Sequence, residues 1–418
     1  MTRFAVIVDP MSTGAEYPGA FRAAGVEPVA VLSSARIPKS VQATWQPENF
    51  EHVHIGDAVP LAVLAREIRA YEPLCVIAGC ETGVEFAEAL AEAVLPGAGN
   101  VAALGPARRD KWAMAEAVRQ AGIPHLRQLA TDDPDLIDRW LSYEGLEGAP
   151  LVLKPPKSGG TDDVHLVRSG GDWRSVFDHI NGRVNKLGIR NQAVLVSELA
   201  EGVEVLVDSY SVDGRHGLVD VCRYDKARRR GRIGIYERVD FLSPEDPDVE
   251  AVWGYTQRVL DAVGIRNGCG HAEIMLTEAG PRLIEVGARP AGGGHQMISK
   301  LATGDNHIER TVRHRVFGEF RPGYELVSYL SGVFISSPAK GIWRNAEVFD
   351  DVESLATFHA KHFPSGTGDL VEVTDDIFTF LAWVILTGGD KAQLDADYAA
   401  LKELERQIVV EPVLASRV

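Results

Sequence analysis

The 418-residue sequence predicts a multidomain α/β protein, in which a parallel α/β unit is followed by largely antiparallel sheet with helices. Three observations carry that expectation. The first hundred residues alternate short β-rich runs with apolar-periodic helical stretches, the pattern of parallel strands joined by crossovers. From about Gly202 to Arg289 the chain instead strings strands together with a single intervening helix, the pattern of an antiparallel sheet. Finally, a chain of this length with 45% apolar residues exceeds one compact core and has material for several.

The elements follow in order. FAVIVD, PVAVL and PLCVIAGC read as strands, and VEFAEALAEAV as a helix. The turns DPMSTG and GCETG close their strands at the carboxyl ends, where open α/β sheets take ligands. Ser12, Thr13, Glu81 and Thr82 are therefore candidate substrate contacts, with helix capping as the competing explanation. A helix carrying DKWAMAEAVRQAG stops at Gly122 and Pro124. LVLKPP, VHLV and QAVLVSEL are strands around a small helix, with the loop KSGGTDD between the first two. VEVLVDSYSV, GLVDVCRY and GRIGIYERVDF follow, then a helix near Pro247 to Val263 and the pair HAEIML and PRLIEV. After about Ser331, SGVFISSPAKGI, later strands and a final helix from Lys391 to Ile408 suggest a small C-terminal unit.

Composition narrows the function. Lys and Arg number 43 against 59 Asp and Glu, and a net charge of -16 disfavours nucleic acid and anionic membranes as partners. The basic run Lys226, Arg228, Arg229, Arg230 and Arg232 reads as a solvated loop between strands, with phosphate or substrate contact as the alternative. Cys75, Cys80, Cys222 and Cys269 have neither zinc spacing nor a C-x-x-C pair, which fits a reducing cytoplasm. No signal-peptide core is read at the N-terminus, and the longest later apolar run, Ile377 to Leu386, is too short to span a membrane.

The closing strand pair carries the chemistry. Glu278, Ala279 and Gly280 read as a three-residue hairpin loop, with Thr277 opposite Pro281, Met275 opposite Leu283 and Glu273 opposite Glu285. Directly opposed carboxylates repel unless something offsets them. A divalent cation does so, and Mg²⁺ is held by one or two carboxylates completed by water and phosphate. Two solvated acids on an exposed face are the other reading, and the apolar flanks favour the metal. If the strand continues, Glu285, Gly287 and Arg289 share its face, so a guanidinium stands beside the metal. Gly292, Gly293 and Gly294 then offer backbone donors to a phosphate or an oxyanion.

LVLKPPKSGGTDD adds Lys154 at a strand end and a flexible tip of Ser158, Gly159, Gly160 and Thr161. The usual phosphate-loop, dinucleotide, nucleophile-elbow and zinc-protease spellings are not found. The order RRDKWAM, LVLKPPKSGGTDD, LVSELAEGVEV, GHAEIML, LIEVGARPAGG resembles the ATP-grasp superfamily of carboxylate-amine ligases, and within it the L-amino-acid ligases that make dipeptides. The resemblance covers nearly the whole chain. It implies an N-terminal Rossmann-like domain at 1–106, a linker helix and lid at 107–196, a nucleotide and metal domain at 197–330 and a C-terminal subdomain at 331–418. It implies that Lys111 and Lys154 contact ATP phosphates beneath the lid Ser158, Gly159, Gly160 and Thr161. Glu198, Leu199 and Ala200 match the adenine hinge, and Glu204 the ribose acid. Glu273 and Glu285 match the Mg²⁺ ligands, with Mn²⁺ as a substitute, and Arg289 the arginine at the γ-phosphate and acyl phosphate. Glu81, Gly292 and Gly293 fall where substrate binds.

Two departures stand out. Gly287 occupies the place of an asparagine that serves many members as a further metal ligand, and Ser197 that of a hinge acid. The expected activity is ATP-dependent ligation of two amino acids through an acyl phosphate, in the cytoplasm and as a homodimer of the kind related ligases form. A bicarbonate-activating carboxylase of the same superfamily and an ATP-binding regulator without turnover are the alternatives.

Overall fold

The computed structural model describes residues 2–229, 232–375 and 379–413, apart from the side chains of 228, 229 and 232–234. Strands Arg3–Val8 (β1), Val26–Leu32 (β2), His52–Ile55 (β3) and Val76–Ala78 (β4) form a parallel sheet in the order β3-β2-β1-β4. Helices Tyr17–Ala23 (α1), Lys39–Gln42 (α2), Leu61–Arg69 (α3) and Val84–Val94 (α4) lie between and after these strands. Alternation decides what each face meets. Val6, Val8, Val29 and Val31 pack on Leu64, Ile68 and Leu90 of α3 and α4. Ala5, Ile7 and Ala30 pack on Tyr17 and Phe21, joined by Ile308 and Val312 from a helix far along the chain.

Helix Lys111–Gln120 (α5) leads into a second sheet of Gln128–Thr131 (β5), Leu151–Lys154 (β6), His165–Val167 (β7) and Val194–Glu198 (β8), antiparallel and ordered β5-β8-β6-β7. Helices Pro134–Glu144 (α6) and Trp173–Ile180 (α7) supply its core through Ile137, Leu141, Phe177 and Ile180.

The largest sheet is built on Val203–Val212 (β9), Arg215–Arg229 (β10), Arg232–Phe241 (β11), Gly268–Thr277 (β12), Gly280–Gly287 (β13) and Tyr329–Ile335 (β14). A small separate sheet holds Gly341–Trp343 (β15), Leu370–Val371 (β17) and Val410–Glu411 (β19), while Phe358–His362 (β16) and Ala382–Gly388 (β18) extend the large one. Its order is β13-β12-β9-β10-β11-β14-β18-β16. Helices Pro247–Ala262 (α8), His295–Thr303 (α9), His307–Phe317 (α10) and Lys391–Arg406 (α11) complete the chain. Val205, Val207, Ala272, Ile274, Leu283 and Val286 turn one face of the large sheet to α5 and α8, where Met114, Val118, Val252 and Val259 bury them. The other face carries the polar residues described below.

The β12–β13 hairpin differs from its expected register. Thr277 pairs with Gly280, so the loop holds only Glu278 and Ala279, and Met275 faces Arg282 rather than Leu283. Thr277 Oγ1 accepts from the Ala279 amide at 3.2 Å and donates to the Gly280 carbonyl at 2.8 Å, while Gly280 takes φ +92, a value that suits glycine. The register is then reset by a bulge at Ile284, beyond which Glu273 faces Glu285 as expected. An unbroken period of two would put Leu283 and Glu285 on one face. With Ile284 as the extra residue, Leu283 and Val286 both meet the helices and Glu285 turns to the opposite face.

Among the described residues no helix is long and apolar enough to cross a membrane. The four cysteines are buried free thiols. Of the basic run, Lys226 is a buried member of β10, paired with Glu204 and 4.2 Å from the Tyr236 ring centre, not a solvated loop residue. Arg230 and the side chains of Arg228, Arg229 and Arg232 lie outside the described residues.

Candidate functional site

Cross-strand register sorts the polar face of the large sheet into rows. Glu285, Glu273 and Leu206 form one row; Gly287, His271, Asp208 and Asp220 form the next; Met275, Glu204 and Tyr224 lie on the other side. The two opposed glutamates have different electrostatic surroundings. Burial, then Glu285 and Glu204, push the Glu273 carboxyl well above its ordinary range. Burial acts on Glu285 in the same sense, but Lys111 and Lys154 outweigh it and hold that carboxyl well below its usual value.

Those lysines arrive from two other elements. Asp110 caps α5 by accepting from the amides of Trp112 and Ala113, which fixes Lys111 at the first helical position. The Lys111 amide donates to the Pro156 carbonyl at 3.0 Å, tying the helix start to the exit of β6. Its ammonium donates to the Ser158 carbonyl at 3.1 Å and pairs with Glu285 at 2.8 Å. Lys154 ends β6 and is 7% exposed. Burial first and Lys111 second lower its ammonium to about 8, against the opposing pull of Glu285, Glu273 and Glu204. Four predicted residues thus converge on Lys154.

Arg289 reaches the site by another route than the expected one. Strand β13 ends at Gly287, so Arg289 stands in the following loop and folds back, its Cγ 3.5 Å from the position of a Cβ on Gly287. Its Nε donates to Glu81 Oε2 at 2.7 Å. Glu81 starts the short turn after β4, so this contact joins the parallel sheet to the antiparallel one. Burial raises the Glu81 carboxyl, yet Arg289 and then Arg109 bring it below its ordinary value.

The remaining predicted residues divide. Ser158 is 3% exposed, and a Cβ on Gly159 would lie 3.8 Å from Glu81 Cγ, so the loop rests against the N-terminal sheet, where Lys157 pairs with Glu85 at 2.6 Å. Gly160, Thr161 and Asp163 take positive φ; for β-branched Thr161 at +59 that is strained backbone. Gly292 and Gly293 precede Gly294, which caps α9 in the left-handed region, and a Cβ on any of the three would meet nothing within 4 Å. Glu204 lies at the site edge, paired with Lys226. The Glu198 carboxylate instead takes Arg127, and the Glu198 and Leu199 amides donate to the carbonyls of Arg127 and Pro150. Ala200 is buried at the exit of that strand. Ser12, Thr13 and Thr82 serve the fold: the Ser12 amide donates to Thr44, Thr13 Oγ1 to the Ala291 carbonyl at 2.7 Å, and Thr82 Oγ1 to Asp9 at 2.6 Å.

Sequence reasoning passed over a second polar cluster in the next row. Asp208 accepts from His271 Nδ1 at 2.7 Å and lies 3.3 Å from His307 and 3.5 Å from His295. Asp220 takes His295 Nε2 at 3.1 Å and the Ser299 hydroxyl. All are buried. It also passed over Arg109, whose signal was the charged run Arg108 to Lys111 before a helix.

Comparison with known proteins identifies this arrangement. The model of the ATP-grasp domain matches residues 147–297, which span β6 through Gly293 and into α9. The chain carries an ATP-grasp domain over those residues. Dapdiamide A synthase of Enterobacter agglomerans is 28% identical over 96% of this chain and 95% of its own length. The L-arginine-specific L-amino acid ligase of Bacillus subtilis is 26% identical over 46% of each chain. In fold, the crystal structure of L-amino acid ligase from Bacillus licheniformis superposes with a TM-score of 0.71 over 99% of both chains at 16% identity. Two of these three relatives are named as ligases and one as a synthase.

Proposed function

We propose that this ATP-grasp ligase joins the carboxylate of one amino acid to the amine of a second, giving a dipeptide or a γ-glutamyl-type amide with ADP and phosphate. The observation that carries the reading is the opposed, half-buried pair Glu273 and Glu285, with Lys111, Lys154 and Arg289 as its cationic neighbours.

A hard divalent cation fits this donor set. Two carboxylates face each other across a strand pair, and burial together with Glu285 keeps Glu273 from ionising readily without a further cation. Glu273 and Glu285 would hold Mg²⁺, with Mn²⁺ as a substitute. When bound, it offsets the charge of the ATP phosphate oxygens.

The chain's own residues do the rest. Lys154 and Lys111 bind the phosphates of ATP, and the loop carrying Ser158, Gly159, Gly160 and Thr161 covers them. Ala200 with its neighbours Glu198 and Leu199 lines the base, and Glu204 the ribose. An oxygen of the substrate carboxylate attacks the γ-phosphorus as the bond to ADP breaks, leaving an acyl phosphate. Arg289 stabilises the transferred group. The amine of the second substrate then attacks the acyl carbon; the carbon–oxygen bond to phosphate breaks, and the amine loses a proton as the amide forms. Arg289 and the glycine loop at Gly292 and Gly293 stand beside the oxyanion of that step. Closure of the loop at 157–163 shields the acyl phosphate from water.

The test supplies ATP, Mg²⁺ and pooled L-amino acids, follows ADP and phosphate, and reads products by mass spectrometry. Amino-acid-dependent ADP with a matching amide product is expected. ADP released with bicarbonate alone, or no ADP under any condition, would replace this reading.

A further inference from the structure

Two neighbouring arginines differ in a way the fold does not explain. Arg108 and Arg109 precede the cap of α5, and both are buried, at 1% and 5% exposure. Arg108 has its nitrogens engaged: Nε and Nη2 pair with Glu88, Nη1 donates to the Val263 carbonyl at 2.8 Å, and Nη2 donates to Val101 at 3.1 Å. That residue holds α4, α5 and α8 together. Among the described residues Arg109 has one ion-pair partner, Glu81. Its Nη1 lies 3.2 Å from Glu81 Oε1 outside hydrogen-bonding geometry, and neither Nη1 nor Nη2 makes a hydrogen bond among the described residues. Buried donors left unpaired cost free energy and are rare in folded proteins.

The position of those nitrogens says what they lack. Glu81 turns Oε2 to Arg289 and Oε1 to Arg109, so the two guanidiniums share one carboxylate. The glycine tip at Gly159 packs on Glu81 from the lid, and the space above Gly292 and Gly293 is open. The phosphate-handling cations are Lys111, Lys154 and Arg289, which act on Glu285. Arg109 stands apart from them. A guanidinium whose Nη1 is ion-paired but not hydrogen-bonded and whose Nη2 has no hydrogen-bond partner can take a planar carboxylate by two parallel hydrogen bonds.

We propose that Arg109 anchors a spectator carboxylate, one that a substrate carries and the reaction does not consume. This rests on the ligase reading above. The group comes from one of two sources: the α-carboxylate of the acceptor amino acid, or the non-reacting carboxylate of a dicarboxylic donor. On either, the Glu81 carboxylate that Arg109 shares with Arg289 places the anchor beside the residue proposed at the acyl centre.

The experiment uses the full chain with ATP and Mg²⁺. Each productive L-amino acid pair is assayed with free acids, with the acceptor as its α-amide, and with the donor amidated at its non-reacting carboxylate. Amidation of the anchored group lowers kcat/KM by about 10–100-fold, and the substrate that shows the drop identifies the source. Arg109→Gln lowers kcat/KM on the free acid by a similar factor, mainly through KM, and uses acid and amide alike. Arg109→Lys, which keeps the charge without the planar fork, falls between. Equal use of acid and amide by the unaltered enzyme overturns the proposal, even if a variant fails to fold. So does an Arg109→Gln enzyme that retains the acid preference. No ADP with any amino acid would remove the ligase reading itself, and the anchor with it.

Discussion

Two carboxylate clusters lie one row apart on the same face of the same sheet, and they solve burial differently. Asp208 and Asp220 are closed by partners the chain provides: His271, His295, His307 and Ser299 all come within hydrogen-bonding or ion-pairing distance. Glu273 and Glu285 are opposed to each other, and the lysines that reach them favour Glu285. In the first cluster Asp220 is hydrogen-bonded by His295 and Ser299, while Asp208 Oδ2 has His307 and His295 at ion-pairing distance without a hydrogen bond. In the second, burial and the facing Glu285 still push the Glu273 carboxyl up, the arrangement that the proposed metal site calls for. Residue type alone does not separate the two; the histidines that surround the aspartates, against the opposed like charges of the glutamates, do.

Substitution at each cluster should therefore move different observables. Glu285→Gln and Glu273→Gln are expected to lower ADP formation by about 1,000-fold or more, while removing one of two half-buried like charges leaves the melting temperature of Glu273→Gln unchanged or raised. Coupled ADP assays and thermal melts check both halves. Retained turnover in Glu285→Gln would break the assignment of the pair. Asp208→Asn reverses the pattern. It leaves His271 and His295 short of a buried counter-charge, and a loss of about 3–5 kcal/mol in stability is expected in denaturant melts. Native stability in that variant would mean the cluster is not closed by charge.

The same cluster gives a pH signature. Burial disfavours the His295 cation, but Asp220 and then Asp208 raise its pKa from 6.5 to about 9. His295 thus holds its proton more tightly in the folded chain than in the unfolded one. The stabilisation is full below pH 6.5 and is lost as pH rises through about 9, a change of up to about 3 kcal/mol. Melts across that window should show the fall, and His295→Gln should flatten it. A profile that stays sloped in His295→Gln would assign the titration to another group.

These contrasts also mark what the sequence could show. Alternation and spacing sufficed for the parallel N-terminal strands and for bringing Glu273 opposite Glu285. They could not show the bulge, because Ile284 is an apolar residue in an apolar run and only the packing of Leu283 and Val286 on the helices reveals that one residue is extra. Lys226 was misread for a related reason: charge in a run suggests solvent, whereas its burial depends on Glu204, Tyr224 and Tyr236, brought together only by strand pairing. The His–Asp cluster joins residues far apart in the chain, with no local spacing to announce it. Arg289 lies beside Glu81 and the paired glutamates, but by another backbone route than a continued strand, since a shared motif places a residue without specifying its backbone.

That last point leads to the smallest expected effect. Gly287 lies in the row of His271 and Asp208, beside the row of the paired glutamates, where a longer polar side chain would add a metal ligand. In this chain the space is taken: a Cβ there would lie 3.5 Å from Arg289 Cγ and Nε and 3.6 Å from Cζ. Those are ordinary contact distances, so Gly287→Ala should fit and leave kcat/KM within about twofold, as expected for a change of under about 0.5 kcal/mol. Gly287→Asn must place an amide where the Arg289 stem runs. Displacing that stem from Glu81 is expected to lower kcat/KM by about 5–10-fold, a cost near 1 kcal/mol, despite the added oxygen. The alternative outcome, an Asn variant with full activity and a lower Mg²⁺ requirement, would show that Arg289 yields the space freely, and that the glycine is a missing ligand rather than a seat for the arginine.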